Sequence, residues 1–242
     1  MTSLARQLDG EVISIPGCTL RFAHLDPQAD LSQLSLEDIL ELAGGHVANL
    51  GPFNLFCEEF QIFTLWTQEY VDALAKYLME RTDRTKRTLI LHISSEGILA
   101  SLLQEKSDMK KNKCPLSVAT IPAQSTIKSM ASSILQAGAG FDEVVVLCSW
   151  MPGGQDWSAS FRQAQVHEYI LIGEADDGNF GDCWHTWGNR LFHLEEGTQN
   201  TPPYQRDGYR RVDLKDLAKY QFARFDCKES ANSSTVSFRR ER

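Results

Sequence analysis

Two short segments hold most of the side chains able to do chemistry. "CSWMPGGQDW" (148–157) sets Cys148, Ser149, Trp150, Asp156 and Trp157 around the pair Gly153-Gly154. "EADDGNFGDCWHTWG" (174–188) sets the acids Glu174, Asp176, Asp177 and Asp182 beside Cys183, Trp184, His185 and Trp187. Acids next to a thiol and an imidazole raise the question of a metal. Cys-x-His without a second ligand pair is not a zinc spacing, and "DDGNFGD" lacks the ligand order and closing Glu of a calcium loop. No metal is expected, and turn chemistry anchored by tryptophan accounts for the segment. Trp150 and Trp157 are either the walls of a pocket with Asp156 as its polar group, or packing residues beside an aspartate that caps a helix. His92 ends the apolar run "TLILHIS". It is either a general base, since an imidazole titrates near neutrality, or a hydrogen-bonded core residue. Ser149 lies outside any Gly-x-Ser-x-Gly elbow, and Cys148 has no neighbour in the sequence that would lower its pKa. There is no phosphate loop and no Cys-x-x-Cys.

The elements that must position these residues follow from periodicity. "TQEYVDALAKYLMERT" (67–82) brings Tyr70, Leu74, Tyr77 and Leu78 to one helical face. A strand–helix rhythm follows: strand "TLILHIS", helix "GILASLLQEKSD" with Ile98, Leu99, Leu102 and Leu103 inward, and strand "CPLSVATI". "STIKSM" reads as a very short strand before a helix through "ASSILQAG". "DEVVVLCSW" is apolar nearly throughout, as buried parallel strands are. "DWSASFRQAQ" reads as a helix with Asp156 at its N-cap, and "HEYILIGE" as the next strand. A long loop spans 175–209 before a helix "DLKDLAKYQ". "YQFARFD" and "STVSFRR" alternate and are expected to form a closing antiparallel hairpin. Upstream, "VISIPGCTLRF" suggests a hairpin, "SLEDILELAGG" a short helix, and "NLGPFNLFCEEFQIF" an irregular apolar stretch. The expected organisation is an N-terminal extension over 1–65 packing on an α/β domain over 66–242. Ligands of such a sheet sit at the C-terminal ends of its strands.

The 242 residues carry a net charge of −8, which disfavours a general nucleic-acid-binding surface. The six cysteines are widely spaced and read as reduced thiols. With no apolar signal core and no membrane-length apolar run, the expectation is a cytoplasmic protein, with the nucleus left open.

The order of elements over about residues 66–242 resembles the class I S-adenosylmethionine-dependent methyltransferases. "TLILHISSEGILASLL" stands where that family has its first strand and cofactor loop. "VVVLCSWMP" stands as its fourth strand, and the two last strands as its terminal pair, in which the final strand is inserted antiparallel. "ELAGGHVANLGPFN", "CSWMPGGQDW" and "EYILIGEADDGNFGDCWHTWG" are similar to one branch of the superfamily. The family's loop reads acid-x-Gly-x-Gly-x-Gly. Here His92 takes the acid's place, Ser94 the first glycine's, Ser95-Glu96 fill the middle, and Gly97 alone remains. The family's ribose-binding acid is replaced at the second strand's end by Ile121, Pro122 and Ala123, none of which offers a side-chain acceptor. Ser129 and Met130 stand where an acid often meets the adenine, and the helix before the third strand is missing.

The resemblance implies a Rossmann-like, doubly wound, mostly parallel sheet with a C-terminal antiparallel hairpin. It also implies a pseudoenzyme that does not hold S-adenosylmethionine in the ordinary way and acts as a binding or assembly protein. Ser94, Ser95 and Gly97 are what is left of the cofactor loop. The expected ligand or partner cleft lies between the two tryptophan-rich segments: Trp150, Asp156, Trp157, Glu174, Asp176, Trp184 and Trp187. Its occupant would be a small molecule or a protein, with neither nucleic acid nor membrane expected. No cofactor is expected under this reading. The alternative is an enzyme, with His92 and Asp156 as catalytic candidates. It would be either a methyltransferase with an altered S-adenosylmethionine site or a cofactor-free enzyme using the old pocket.

Overall fold

The computed structural model describes residues 64–83, 85–94, 98–106, 116–122, 127–176, 180–192, 201–223 and 233–241, with the backbone of 12–15 and 18–21. The chain divides into two compact units, Met1–Tyr70 with Tyr220–Asn232, and Val71–Lys219 with Ser233–Arg242. In the first unit β1 (Val12–Ile15) and β2 (Cys18–Arg21) form the antiparallel hairpin expected of "VISIPGCTLRF". β3 (Thr64–Leu65) pairs antiparallel with β9 (Phe222–Ala223). Thr67 caps the helix α1 (Gln68–Arg81): its hydroxyl accepts the Tyr70 N–H at 3.1 Å and donates to the Tyr220 carbonyl at 2.9 Å.

The second unit is built on one six-stranded sheet. In chain order its elements are α1 from Val71 onward, β4 (Thr88–Ser94), α2 (Ile98–Glu105), β5 (Leu116–Pro122), α3 (Ile127–Gly138), β6 (Glu143–Ser149), α4 (Ser158–Gln163) and β7 (Glu168–Glu174). A 3-10 turn (Arg190–Phe192), α5 (Pro203–Arg206), β8 (Tyr209–Asp213), α6 (Lys215–Ala218) and β10 (Ser233–Arg240) complete the unit. The strand order is β5-β4-β6-β7-β10-β8. β4, β5, β6 and β7 are parallel, and β10 runs antiparallel to both β7 and β8. The last strand of the sheet in chain order is thus inserted between two earlier ones. All seven residues of β7 are buried, as a strand covered on both faces requires.

Alternation divides the sheet residues cleanly. Leu91, Ile93, Val146, Cys148, Leu171 and Phe238 join Met130 and Ile134 of α3 and Phe161 of α4 in one apolar core. Tyr169 stacks on Phe238 within it at 4.7 Å between ring centroids. His92, Leu147, Ser149, Ile170, Ile172 and Thr235 alternate with these and are buried on the opposite face.

Several expectations are corrected. "YQFARFD" does not pair with "STVSFRR": its Phe222–Ala223 pairs with β3, and the second neighbour of β10 is "YRRVD", which lay partly in the expected loop. The residues of "STIKSM" from Ile127 onward open α3 and form no strand. Asp156 is not the cap of α4. That helix starts after Trp157, itself helical, with no side-chain cap bond. α6 is a single turn. In α2, Leu99 and Leu103 are buried while Ile98 and Leu102 are half-buried. "SLEDILELAGG", "NLGPFNLFCEEFQIF", Ser95, Gly97, Ala123 and Asp177 lie outside the described residues.

Candidate functional site

The ends of β4, β5, β6 and β7 share one edge of the sheet, and the sequence candidates gather there. β4 delivers His92 and ends at Ser94; β6 delivers Ser149. The imidazole Nε2 and the Ser149 hydroxyl are 3.1 Å apart, a hydrogen bond between neighbouring strands. His92 is 1% exposed and Ser149 is 7% exposed. Nδ1 of His92 has no hydrogen-bond partner among the described residues. Burial alone lowers the His92 pKa from 6.5 to about 4, because a charged imidazole loses its water there. At neutral pH the ring is uncharged and far too weak a base for efficient proton abstraction, which works best when the pKa lies near the working pH. Burial also raises the pKa of the Cys148 thiol, so no reactive thiolate forms on β6. At the end of β5, Ile121 is buried.

Beyond these strand ends the two tryptophan-rich segments are bonded directly to each other. The Gly154 N–H donates to the Gly181 carbonyl at 2.8 Å, and the Gly181 N–H to the Met151 carbonyl at 3.3 Å. The Thr186 hydroxyl reaches Asp156 Oδ1 at 3.1 Å. A Cβ at Gly173 would lie 2.8 Å from the Phe180 ring, so glycine on β7 is what lets this loop seat on the strand. Trp157, Trp184 and Trp187 are 5%, 8% and 1% exposed, and the Trp187 indole N–H donates to the Phe180 carbonyl at 2.5 Å. These three rings therefore pack the loops. Trp150 is half-buried, edge-on to Phe180 at 6.1 Å, and holds a φ of +52° that few bulky residues adopt.

Asp156 has left the cap for a polar network. It accepts from the Ser158 and Thr186 hydroxyls and pairs with Arg162 at 3.2 Å. Arg162 in turn donates to Asp207 at 2.7 Å. Asp176, at φ +70°, is gripped by both terminal nitrogens of Arg211, at 2.6 and 2.8 Å. Burial opposes the Arg211 charge, but the Asp176 and Asp213 carboxylates together outweigh it and hold the guanidinium pKa above its ordinary value. Glu174 is buried at 4% exposure. Asp182 closes a tight turn, accepting the Trp184 and His185 N–H groups at 2.9 and 2.6 Å. Burial pushes its pKa upward, and the bonds from His185 and Trp184 bring it below the ordinary value. Among the described residues, no three His, Cys, Asp or Glu side chains are grouped to hold a metal ion.

The structure thus brings His92 and Ser149 together, joins Asp156 to the 180–188 loop, and spends three of the four tryptophans on packing. The His92–Ser149 bond links positions 57 apart in sequence. Its only sequence signal is that both are polar residues at the ends of apolar strands. No protein-family model matches the chain, and no curated protein matches its sequence. No helix among the described residues is long and apolar enough to cross a membrane.

Proposed function

We propose that this chain is a divergent protein of the class I methyltransferase type that has lost the ordinary grip on S-adenosylmethionine and serves as a binding or assembly protein. The observation that carries this reading is His92. A cofactor site of that type needs a charged acceptor at the end of its first strand. Here the position holds a neutral, buried imidazole whose Nε2 is engaged by Ser149. The strand order lends support, since an antiparallel last strand between two parallel neighbours is the arrangement that type of sheet uses. Ile121 at the end of β5 gives ribose hydroxyls no side-chain acceptor. The two tryptophan-rich loops are bonded directly to each other, which favours contact through their outer surface, with Trp150 as the half-exposed aromatic.

Titration calorimetry and thermal shift with S-adenosylmethionine and S-adenosylhomocysteine test the reading. At micromolar ligand no saturable heat is expected. A true ligand at a hundredfold excess over its dissociation constant would add about 2.7 kcal/mol of stability. Saturable micromolar binding of either compound would overturn the proposal and make the chain a methyltransferase with an altered cofactor grip.

A further inference from the structure

The opposite edge of the same sheet holds a cavity of about 550 Å³, a volume typical of small-molecule sites. The end of α1, the starts of β6 and β7 and the end of β10 line it. Its floor includes the buried apolar side chains Leu78 and Val145. Glu168, on β7, has a side chain only 6% exposed. Its Oε1 accepts from the Tyr77 hydroxyl and from the Ser237 hydroxyl, the latter at 2.5 Å. Arg239 donates to the Tyr77 hydroxyl at 2.8 Å and lies over the same ring. Glu168 Oε2, by contrast, meets Arg81 Nε at 3.6 Å, an ion pair beyond hydrogen-bond reach. Burying a carboxylate is unfavourable unless both oxygens are well served, and apolar residues would fill the space as stably. One oxygen is fixed by two hydroxyls with Arg239 Nε at 3.6 Å, and the other has no hydrogen-bond donor among the described residues.

The charges around this oxygen select a ligand class. Lys86 and Glu143 close on each other at 2.7 Å. Among the described residues, the other ionic side chains lining the cavity are Arg81, Arg239 and Arg240 against Asp83, Glu168 and Glu241, an even balance. An even balance gives no net field to draw in a simple anion or cation. Fixed opposite charges a few ångströms apart are complementary to a molecule that carries both. We propose that this cavity binds a free α-amino acid. Its ammonium would sit on Glu168 Oε2, its carboxylate on the Arg81 guanidinium, and its side chain along Leu78 and Val145. The site is independent of the reading of the opposite edge.

The test is calorimetry of the full chain against the standard free amino acids at millimolar concentration, with the carboxamide and the N-acetyl form of any that binds. Saturable binding of at least one amino acid is expected, with both blocked forms about tenfold weaker or worse, the worth of one charged hydrogen bond. Arg81 is half-exposed, so Arg81→Ala should keep the thermal midpoint and weaken binding by a similar factor. Glu168→Gln should weaken binding as well, and where that variant does not fold, Arg81→Ala decides. Three results would overturn the proposal: no amino acid giving saturable heat, blocked forms binding as well as the parent, or Arg81→Ala binding unchanged.

Discussion

His92 is held neutral by burial, and the sign of its effect on stability follows. Its pKa is about 4 folded and 6.5 unfolded, so between those values the unfolded chain binds a proton that the folded chain does not. The stability tied to the neutral ring is complete above pH 6.5 and is lost as pH falls toward 4. Over that window the loss is about 3 kcal/mol. Urea midpoints at pH 7 and pH 4.5 read it out. His92→Gln, which keeps a hydrogen-bonding group but cannot titrate, should lose about 2–3 kcal/mol less than the parent on that descent. Equal losses in the two proteins would mean that His92 is not desolvated as described. This residue also marks what a sequence shows and conceals. That a histidine ends an apolar strand is legible. Which nitrogen is engaged, and by what, depends on a serine one strand away.

At the scale of elements, legibility tracks burial. β4, β6 and β7 were readable because strands covered on both faces are apolar runs. β8 was missed because "YRRVD" lies at the sheet's edge, where charge is tolerated and no apolar run is required. "YQFARFD" was readable as extended, but alternation specifies faces and not partners, so its pairing with β3 was out of reach. The start of α3 was misread because Thr126 and Ile127 are β-branched, a weak strand preference that packing of Met130 and Ile134 overrides. The cap expected of Asp156 failed for a similar reason. α4 has six residues and no side-chain cap, and what holds it is Arg162, 4% exposed between Asp156 and Asp207. Arg162→Met fills the same space without the charge and strands a part-buried Asp156. A loss of about 3 kcal/mol is expected in chemical denaturation. Asp207 is half-exposed, so its own removal should do much less. Equal effects of the two substitutions would contradict this account of α4.

The whole molecule is two units whose boundaries the chain crosses more than once: Tyr220–Asn232 belongs with the N-terminal unit, and Ser233 onward returns to the sheet. The sheet cannot be assembled in the order in which it is written. β10 bonds along both sides, from Glu168 to Glu174 on β7 and from Tyr209 to Asp213 on β8. During synthesis, therefore, the ribosome delivers every other strand of this sheet before the one that joins β8 to the rest. Until β10 emerges, β7 offers nascent neighbours a largely apolar edge unpaired along one side, the kind of edge that recruits foreign strands. A chain stopped before Ser233 should be made at a normal rate yet collect in the insoluble fraction. Supplying residues 233–242 as a separate peptide during refolding should return part of it to solution. A stopped chain that stays soluble and cooperative would show that β7 and β8 need no strand between them.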